Sequence, residues 1–182
     1  LAAPELLVDI NDLADLAFIA VEGAMDGGVL RIGALTRHAE LLASPLVGAV
    51  APVLHDAERS IADAIVRNRG TVGGSVCQAD PSEDLSGAFC ALRASAVIRG
   101  EQGSRTVPMR EFFEGPYQTA VGPAEILVEL QVPLWARGSA YVKVDRRAGD
   151  WAVAAAAAAV RTADGVITDA GIGLTAVGPF VA

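Results

Sequence analysis

The sequence predicts an α+β fold: a mixed sheet with helices over residues 1–134, followed by the beginning of a smaller C-terminal α/β layer over residues 135–182. Apolar runs of strand length lie near both ends of the chain and in its middle, and helical patterns lie between them. Asp-Gly pairs between apolar runs indicate tight hairpins. The chain has 182 residues, is 52% hydrophobic and has a mean hydropathy of +0.41, so it carries enough apolar material for a buried core.

Charge and composition exclude several classes of function. A net charge of −8, an isoelectric point near 4.7 and the lack of a Lys/Arg block argue against binding to nucleic acid or to an anionic membrane surface. The longest apolar run, residues 151–160, is about half a membrane span. Cys77 and Cys90 predict small buried side chains in a reducing compartment, and no Cys/His spacing is typical of zinc. Residues 1–5 show no signal-peptide pattern, so we expect a cytoplasmic protein, and the missing initiator Met predicts a fragment.

The first elements are predicted to be strands. Residues 6–10 form an apolar run that predicts a short buried strand, and Asn11 is expected to cap a brief turn or helix over residues 12–16. Residues 18–22 and 29–34 predict two strands, joined by a tight hairpin because an Asp-Gly pair lies between them.

Helices are predicted next. Thr36 is a good cap for a helix over residues 37–43. Pro45 begins a second helical stretch that runs towards Ile61, and Pro52 is expected to kink or interrupt it because proline lacks a backbone N–H.

The second half of the chain returns to strands after one helix. Residues 84–92 predict a short helix, residues 96–99 and 105–107 a hairpin, and residues 125–132 a strand. Residues 140–144 predict another strand.

The alanine-rich run over residues 151–160 is ambiguous, because alanine favours helix. The Asp164-Gly165 pair between this run and the apolar residues 166–167 favours a hairpin, so we predict a strand packed closely on both faces.

A glycine-rich bend, Gly70-Thr-Val-Gly-Gly-Ser75, is the main candidate for chemistry. Glycines let a backbone approach a bulky anion, and consecutive amides in such a bend can point inward at a diphosphate. Arg67 and Arg69 precede it and either raise the local potential or position the bend through carboxylates. The structural alternative is a tight turn between two strands. The bend lacks the Lys of a P-loop, and the Gly-x-Gly-x-x-Ala pattern over residues 171–176 lacks room for the helix of a dinucleotide fold.

Several motifs occur in an order that resembles one known family. Residues 65–75 read Ile-Val-Arg-Asn-Arg-Gly-Thr-Val-Gly-Gly-Ser, and residues 79–84 read Ala-Asp-Pro-Ser-Glu-Asp. Phe-Phe-Glu-Gly-Pro-Tyr follows at residues 112–117, Tyr-Val-Lys at 141–143 and Gly-Asp-Trp at 149–151. This order resembles the flavin-binding subunit of the molybdenum hydroxylases, which include aerobic carbon monoxide dehydrogenase and xanthine dehydrogenase, over nearly the whole chain.

The resemblance implies an oxidoreductase subunit that carries FAD. The implied fold is an FAD-binding domain of the vanillyl-alcohol-oxidase-like (PCMH) type that lacks its N-terminal half-domain, plus the start of a C-terminal domain like that of carbon monoxide dehydrogenase flavoproteins. The implied partners are a molybdenum-cofactor subunit and a [2Fe-2S] subunit, from which the flavin passes electrons to an external acceptor. The alternatives are a stand-alone flavin oxidase and a degenerate interaction domain without flavin.

The resemblance also implies roles for individual residues. The bend is expected to hold the FAD diphosphate, Asp84 to accept hydrogen bonds near the adenosine ribose, and Ile61 to pack against the adenine side. Two positions match further flavin contacts, and one tryptophan is a candidate cover for the ring. The expected cofactor-binding residues are Thr71, Val72, Gly73, Gly74, Ser75, Asp84, Ile61, Leu127 and Lys143, with Trp151 as the cover.

Structural alternatives remain for these residues. Asp84 could cap the helix that follows Pro81, Lys143 could be a solvated strand charge, and Trp151 could anchor the second layer. Leu127 is expected in the core in either case. His38 and His55 lie in predicted helices, far from the bend in sequence, and are expected to be surface or packing residues.

Two features of this sequence depart from the family pattern. The family's first glycine loop would lie upstream of Leu1, and Gln78 replaces a histidine that is common before the Ala-Asp-Pro motif.

Overall fold

A computed structural model describes residues 5–179 and residue 181; most of the segment assessed for a signal peptide, residues 1–4, lies outside it. The strands are β1 (Ile19–Glu22), β2 (Val29–Gly33), β3 (Ser95–Gly100), β4 (Gly103–Pro108), β5 (Phe113–Gly115), β6 (Gln118–Thr119), β7 (Ile126–Pro133), β8 (Gly138–Asp145), β9 (Ala152–Ala163) and β10 (Val166–Thr175). The helices are α1 (His38–Ala43), α2 (Pro45–Val50), α3 (Pro52–Ser60), α4 (Ala64–Arg69), α5 (Val72–Gln78), α6 (Asp84–Ala91) and α7 (Met109–Phe112), after a 3₁₀ turn at Ala14–Leu16. The predicted α+β class is confirmed.

The larger sheet has five strands in the order β1-β2-β7-β3-β4. Every pairing in it is antiparallel, so the expected mixed sheet is wrong for the part of the chain that the structure describes. Both hairpins pair consecutive strands directly, and β7 lies between the hairpins and runs antiparallel to both β2 and β3. The two predicted hairpins, β1–β2 and β3–β4, are confirmed.

The helices follow the predicted breaks with one exception. Pro52 interrupts the helical stretch as expected, because α2 ends at Val50 and α3 begins at Pro52 itself. Thr36 does not cap α1: Arg37 occupies the N-cap position, and the Thr36 hydroxyl donates instead to the carbonyl of Phe18 at 3.0 Å. The Glu40 carboxylate accepts the backbone N–H of Arg37 at 2.9 Å.

The predicted strand over residues 6–10 is wrong. A strand needs a ladder partner, and no described strand pairs with this segment, so Leu6 and Leu7 are 77% and 88% exposed. Asn11 does not cap the 3₁₀ turn, because the N-cap position is Leu13. The Asn11 side chain instead donates to Asp9 at 2.7 Å.

The second sheet, β10-β9-β8, confirms the strand prediction for the alanine-rich run. β9 pairs with β8 on one side and β10 on the other, and Asp164 and Gly165 form the hairpin turn with φ of 50° and 76°. Ala157 and Ala159 point inward and belong to the same hydrophobic core as the first sheet. The run forms a strand despite the helix propensity of alanine, because its small side chains allow helices to pack directly on this face of the sheet.

Helix α6 lies against the inner face of the second sheet and is almost wholly buried. A Cβ on Gly173 would overlap the carbonyl of Gly87, and one on Gly171 would overlap the carbonyl of Ala91. The two glycines of this Gly-x-Gly pattern therefore allow a helix to approach a strand, and they do not belong to a nucleotide-binding turn. Among the described residues, no helix has the length and apolar character needed to cross a membrane.

Candidate functional site

The glycine-rich bend connects two helices. α4 ends at Arg69, Gly70 and Thr71 are extended, and α5 begins at Val72. The structural alternative of a turn between two strands is therefore wrong. The Thr71 hydroxyl caps α5 by accepting the N–H of Gly74 at 3.2 Å. None of the bend's three glycines has positive φ, so they are needed for space rather than for unusual backbone angles.

The two adjacent glycines of the bend face different neighbours. Gly73 is buried, and a Cβ there would lie 2.6 Å from the Cβ of Ala34 and 2.7 Å from its carbonyl oxygen. Gly74 is exposed, and a Cβ there would meet only the Thr71 hydroxyl, at 2.8 Å. Gly73 thus lets α5 pack on the chain after β2, whereas Gly74 leaves open space in front of the helix.

The backbone amides of the bend are already hydrogen-bonded within the chain. The N–H groups of Val72 and Gly73 donate to the carbonyls of Thr36 and Ala34, at 2.9 and 2.8 Å. The N–H of Ser75 donates to Thr71 at 3.0 Å. The expected row of inward-facing amides is therefore not present at Val72 and Gly73, because these two donors tie α5 to the segment that follows β2.

A cavity of about 710 Å³ lies directly in front of this bend. Its size falls within the range of small-molecule and cofactor pockets. Its wall comes from residues near the start of the chain, from α1, α4, α5 and α6, and from the loop before β9. The lining residues are Ile10, Asn11, Leu35, Arg37, His38, Ile61, Ala62, Val66, Arg69, Gly70, Thr71, Gly74, Ser75, Gln78, Glu83, Asp84, Gly149, Asp150 and Trp151.

Of the predicted site residues, the cavity brings together Thr71, Gly74, Ser75, Asp84 and Ile61. The other four lie behind its wall. Val72 and Gly73 are buried against the chain after β2, Leu127 is a core residue of β7, and Lys143 is buried on β8.

Basic residues line one part of the cavity. Arg37 and Arg69 both line it, and Arg37 donates to the Arg69 carbonyl and, at 2.8 Å, to Asn11. Arg67 instead donates to the carbonyls of Ile61 and Ala62, at 2.6 and 3.2 Å. One arginine of the predicted pair therefore fixes the α3–α4 connection, while the other contributes positive charge to the cavity wall.

Acidic residues line another part of the wall. Glu83 caps α6 by accepting the N–H groups of Leu85 and Ser86, at 2.9 and 2.7 Å, so Asp84 is not the cap. The Asp84 carboxylate accepts hydrogen bonds from Tyr141 and, at 2.9 Å, from Lys143.

The Lys143 ammonium also donates to the carbonyl of Ser60 at 3.1 Å. Its side chain is only 5% exposed, so it is a buried ion-pair partner of Asp84 and not the solvated charge considered above. Trp151 lines the cavity and is 53% exposed, so it does not anchor the second layer in the core.

Sequence reasoning missed one residue of the site. His38, which is far from the bend in sequence, was expected to be a surface or packing residue, and the structure places it in the interior beside the bend. Its Nε2 lies 2.8 Å from the Ser75 hydroxyl, and its Nδ1 lies 2.9 Å from the Glu58 carboxylate. The contact joins residues 37 positions apart, and no local pattern in the sequence signals it.

Burial dominates the titration of three carboxyls around the cavity. Burial raises the pKa of Glu58, of Glu83 and of Asp84 above their usual range, against the opposing effect of their hydrogen-bond donors. Elsewhere, the Arg105 guanidinium lowers the pKa of Glu125 to about 2.

These shifts predict how stability depends on pH. A carboxyl whose pKa is raised by folding holds protons that the unfolded chain releases, so its contribution is complete below about pH 4 and is lost as pH rises through its folded pKa. Carboxyls with lowered pKa, such as Glu125, act in the opposite direction but are ionised in both states above about pH 5. We therefore expect the free energy of unfolding to fall as pH rises above about 5 in urea titrations. Glu58→Gln should reduce the slope, and stability that rises over this range would contradict the assignment.

Comparison with known proteins identifies the family. A model of the FAD binding domain in molybdopterin dehydrogenase matches residues 1–135, and a model of the CO dehydrogenase flavoprotein C-terminal domain matches residues 139–182. The chain belongs to the FAD-binding family of the molybdopterin dehydrogenases. The resemblance noted in the sequence is thereby confirmed, and FAD is the cofactor of this family.

Two curated relatives show how far the similarity extends. The carbon monoxide dehydrogenase medium chain of Hydrogenophaga pseudoflava is 41% identical over 180 residues, which are 98% of this chain and 61% of the relative. The glyceraldehyde dehydrogenase medium chain of Sulfolobus acidocaldarius is 38% identical over 168 residues, 92% of this chain and 58% of the relative. The chain thus spans about three fifths of the length of these two medium chains.

Solved structures agree with the family and the fold. The carbon monoxide dehydrogenase from Hydrogenophaga pseudoflava superposes with a TM-score of 0.93 at 41% identity, covering 100% of this chain and 62% of that chain. Quinoline 2-oxidoreductase from Pseudomonas putida 86 superposes with a TM-score of 0.90 at 31% identity, covering 98% and 61%. The predicted FAD-binding domain with the start of a flavoprotein C-terminal domain is confirmed.

The residues in front of the bend fit this cofactor. Thr71 and Ser75 carry hydroxyls at the cavity wall, and Arg37 and Arg69 offer guanidinium groups that match phosphate. A Cβ on Gly74 would project into the space in front of the helix.

Proposed function

We propose that the protein to which this chain belongs is the FAD-carrying electron-transfer subunit of a molybdenum-containing dehydrogenase. It would receive electrons from a [2Fe-2S] subunit, which takes them from a molybdenum-cofactor subunit, and would deliver them to an external acceptor. The observation that carries the proposal is the 710 Å³ cavity in front of the bend, in a chain of this family. Bound FAD would supply the redox chemistry, and the protein would bind and orient it.

The chain's own residues suggest a division of labour within the cavity. Thr71, Ser75 and Gly74 would receive the diphosphate through two hydroxyls and an open helix surface, with Arg37 and Arg69 supplying positive charge. Binding of the diphosphate would therefore depend on these side chains more than on the backbone amides of the bend.

Other residues at the cavity wall would orient the organic part of the cofactor. Asp84 would accept hydrogen bonds near the ribose, although Tyr141 and Lys143 already hold its carboxylate in place. Ile61 would pack beside the adenine, and the exposed Trp151 ring would cover the flavin. Lys143 would act through Asp84, because its ammonium lies behind that carboxylate.

The test is to purify the full-length protein, with its native partner subunits where they assemble. We expect a flavin absorption spectrum from bound FAD, co-purification of molybdenum and [2Fe-2S] subunits, and bleaching of the flavin band when a substrate of the molybdenum subunit is added. A protein without flavin would support the degenerate interaction domain. Bound FAD in a subunit that turns over substrate alone would support the stand-alone oxidase.

A further inference from the structure

His38 forms a continuous hydrogen-bonded chain from the protein interior to the cavity. The Glu58 carboxylate is wholly buried, the His38 ring is 1% exposed, and the Ser75 hydroxyl lies at the cavity wall. The two links measure 2.9 Å (Glu58 to Nδ1) and 2.8 Å (Nε2 to Ser75). Three elements of the fold, α3, α1 and α5, are needed to build the chain, and α1 packs on α3.

A Ser–His–carboxylate chain is also the arrangement of nucleophilic hydrolases. That chemistry needs backbone amides that face the reacting oxygen. The amides of Val72, Gly73, Gly74 and Ser75 all donate within the chain, so no such pair is offered beside this hydroxyl. The hydrogen-bonded series Glu58–His38–Ser75 is therefore better suited to orienting the Ser75 hydroxyl than to making it a nucleophile.

The proton content of the His38–Glu58 pair decides what Ser75 presents to the cavity. If the pair holds no extra proton, the Nδ1–H of a neutral ring donates to Glu58, and Nε2 accepts the Ser75 O–H. The cavity then meets only oxygen lone pairs. If the pair gains one proton, Nε2–H donates to the Ser75 oxygen, and the Ser75 O–H is released to donate into the cavity. A phosphate, which has only acceptors, can be bound by the second arrangement and not by the first.

The surroundings favour a pair that can carry this proton. Burial raises the pKa of the Glu58 carboxyl, with Asp84 on α6 acting in the same direction and His38 and Arg67 opposing it. On the side of α4, Arg69 lines the cavity. α2 contains no titratable residue, and on α1 itself the flanking Arg37 points to Asn11 and the Arg69 carbonyl. Glu58 is thus the one carboxylate hydrogen-bonded to His38 among the described residues.

We propose that His38 and Glu58 are positioning residues that take up a proton when the FAD diphosphate binds, so that Ser75 turns its hydroxyl proton from His38 to a phosphate oxygen. The proton comes from solvent and ends on Nε2 of His38, on the side of Ser75, while Nδ1–H stays hydrogen-bonded to the Glu58 carboxylate. The one covalent bond that forms is the N–H bond at Nε2. The Ser75 O–H bond stays intact and only changes its hydrogen-bond acceptor. The inference rests on the proposed function, because it places the diphosphate beside Ser75.

The experiment is calorimetric titration of FAD into the deflavinated full-length subunit, in two phosphate-free buffers of different ionisation enthalpy at matched pH. The dependence of the observed heat on the buffer's ionisation enthalpy gives the number of protons taken up. Over the pH range that both buffers cover, we expect wild type to take up a proton, up to one per FAD. His38→Gln keeps an N–H donor for Ser75 but cannot titrate, so we expect affinity within a few-fold of wild type and no uptake.

Two further variants complete the test. Ser75→Ala should weaken FAD binding by about tenfold to a hundredfold and abolish uptake, because a charge-assisted hydrogen bond is lost. Adding His38→Gln to Ser75→Ala should cause no further loss. His55→Gln on α3 is the matched control and should leave affinity and uptake unchanged. If a thermal melt shows that the His38→Gln variant is not folded, the test rests on Ser75→Ala alone, because Ser75 is only half-buried.

The outcomes separate the two proposals. Wild type that binds FAD without proton uptake at any pH in this range, or single-variant effects that add in the double variant, would overturn the positioning role. Wild type that does not bind FAD would instead overturn the proposed function.

Discussion

Replacing Gly173 with alanine is expected to destabilise the protein by about 3 kcal/mol, measured as the free energy of unfolding in urea. The added Cβ would overlap the carbonyl of Gly87 on α6, and this atom cannot move aside because it belongs to the backbone of a buried helix. Relief requires α6 to lift away from β10, which would expose apolar surface and loosen the wall that holds Asp84.

Gly48→Ala is the matched control for this substitution. It adds the same single Cβ, but Gly48 is exposed on α2, and no atom from elsewhere in the fold lies within 4 Å of the position of the added Cβ. We expect its stability to be unchanged or to rise by about 0.5–1 kcal/mol, because alanine is the better helix former. Equal effects of the two substitutions would show that the close helix–strand approach is not required.

Gly74→Val is expected to abolish measurable FAD binding, with an affinity loss of at least about a hundredfold, while the protein remains folded. The valine side chain would fill the space in front of α5 from which the diphosphate is expected to approach. The Cβ of that side chain would meet only the Thr71 hydroxyl, at 2.8 Å, so we expect a structural cost near the value of one helix cap, about 1 kcal/mol. FAD fluorescence titration and urea unfolding of the same variant measure the two quantities.

The neighbouring glycine provides the contrast. Gly73→Val would collide with Ala34 and should therefore destabilise the fold itself, with loss of FAD as a secondary result. FAD affinity that survives in Gly74→Val would place the diphosphate elsewhere in the cavity.

The local elements of this fold could be read from the sequence where a short-range signal fixes them. The Asp164-Gly165 pair fixed the hairpin, and with it the strand character of the alanine run, against alanine's own helix propensity. Pro52 fixed the break between α2 and α3 in the same way. The strand prediction for residues 6–10 was wrong because an apolar run forms a strand only where a partner strand exists, and strand pairing is not encoded locally.

The candidate site was harder to predict than the fold. The motif located Thr71, Gly74, Ser75 and Asp84 at the cavity, but it suggested a loop where two helices meet. It also gave no indication that Thr36 and Ala34 use the amides of the bend. The role of His38 depends on contacts with residues 20 and 37 positions away, which only the packing of α1 on α3 and α5 creates.

The hydrogen bonds from Val72 and Gly73 to the segment after β2 have a consequence for recognition. Ala34 is itself hydrogen-bonded to Val128, at 3.0 Å, so the bend is tied through two links to the central strand β7. The shape of the bend is therefore set when the chain folds, before a ligand binds to it. Little main-chain entropy is then lost on association, and selectivity depends on how well a molecule matches a contour that cannot adapt to it.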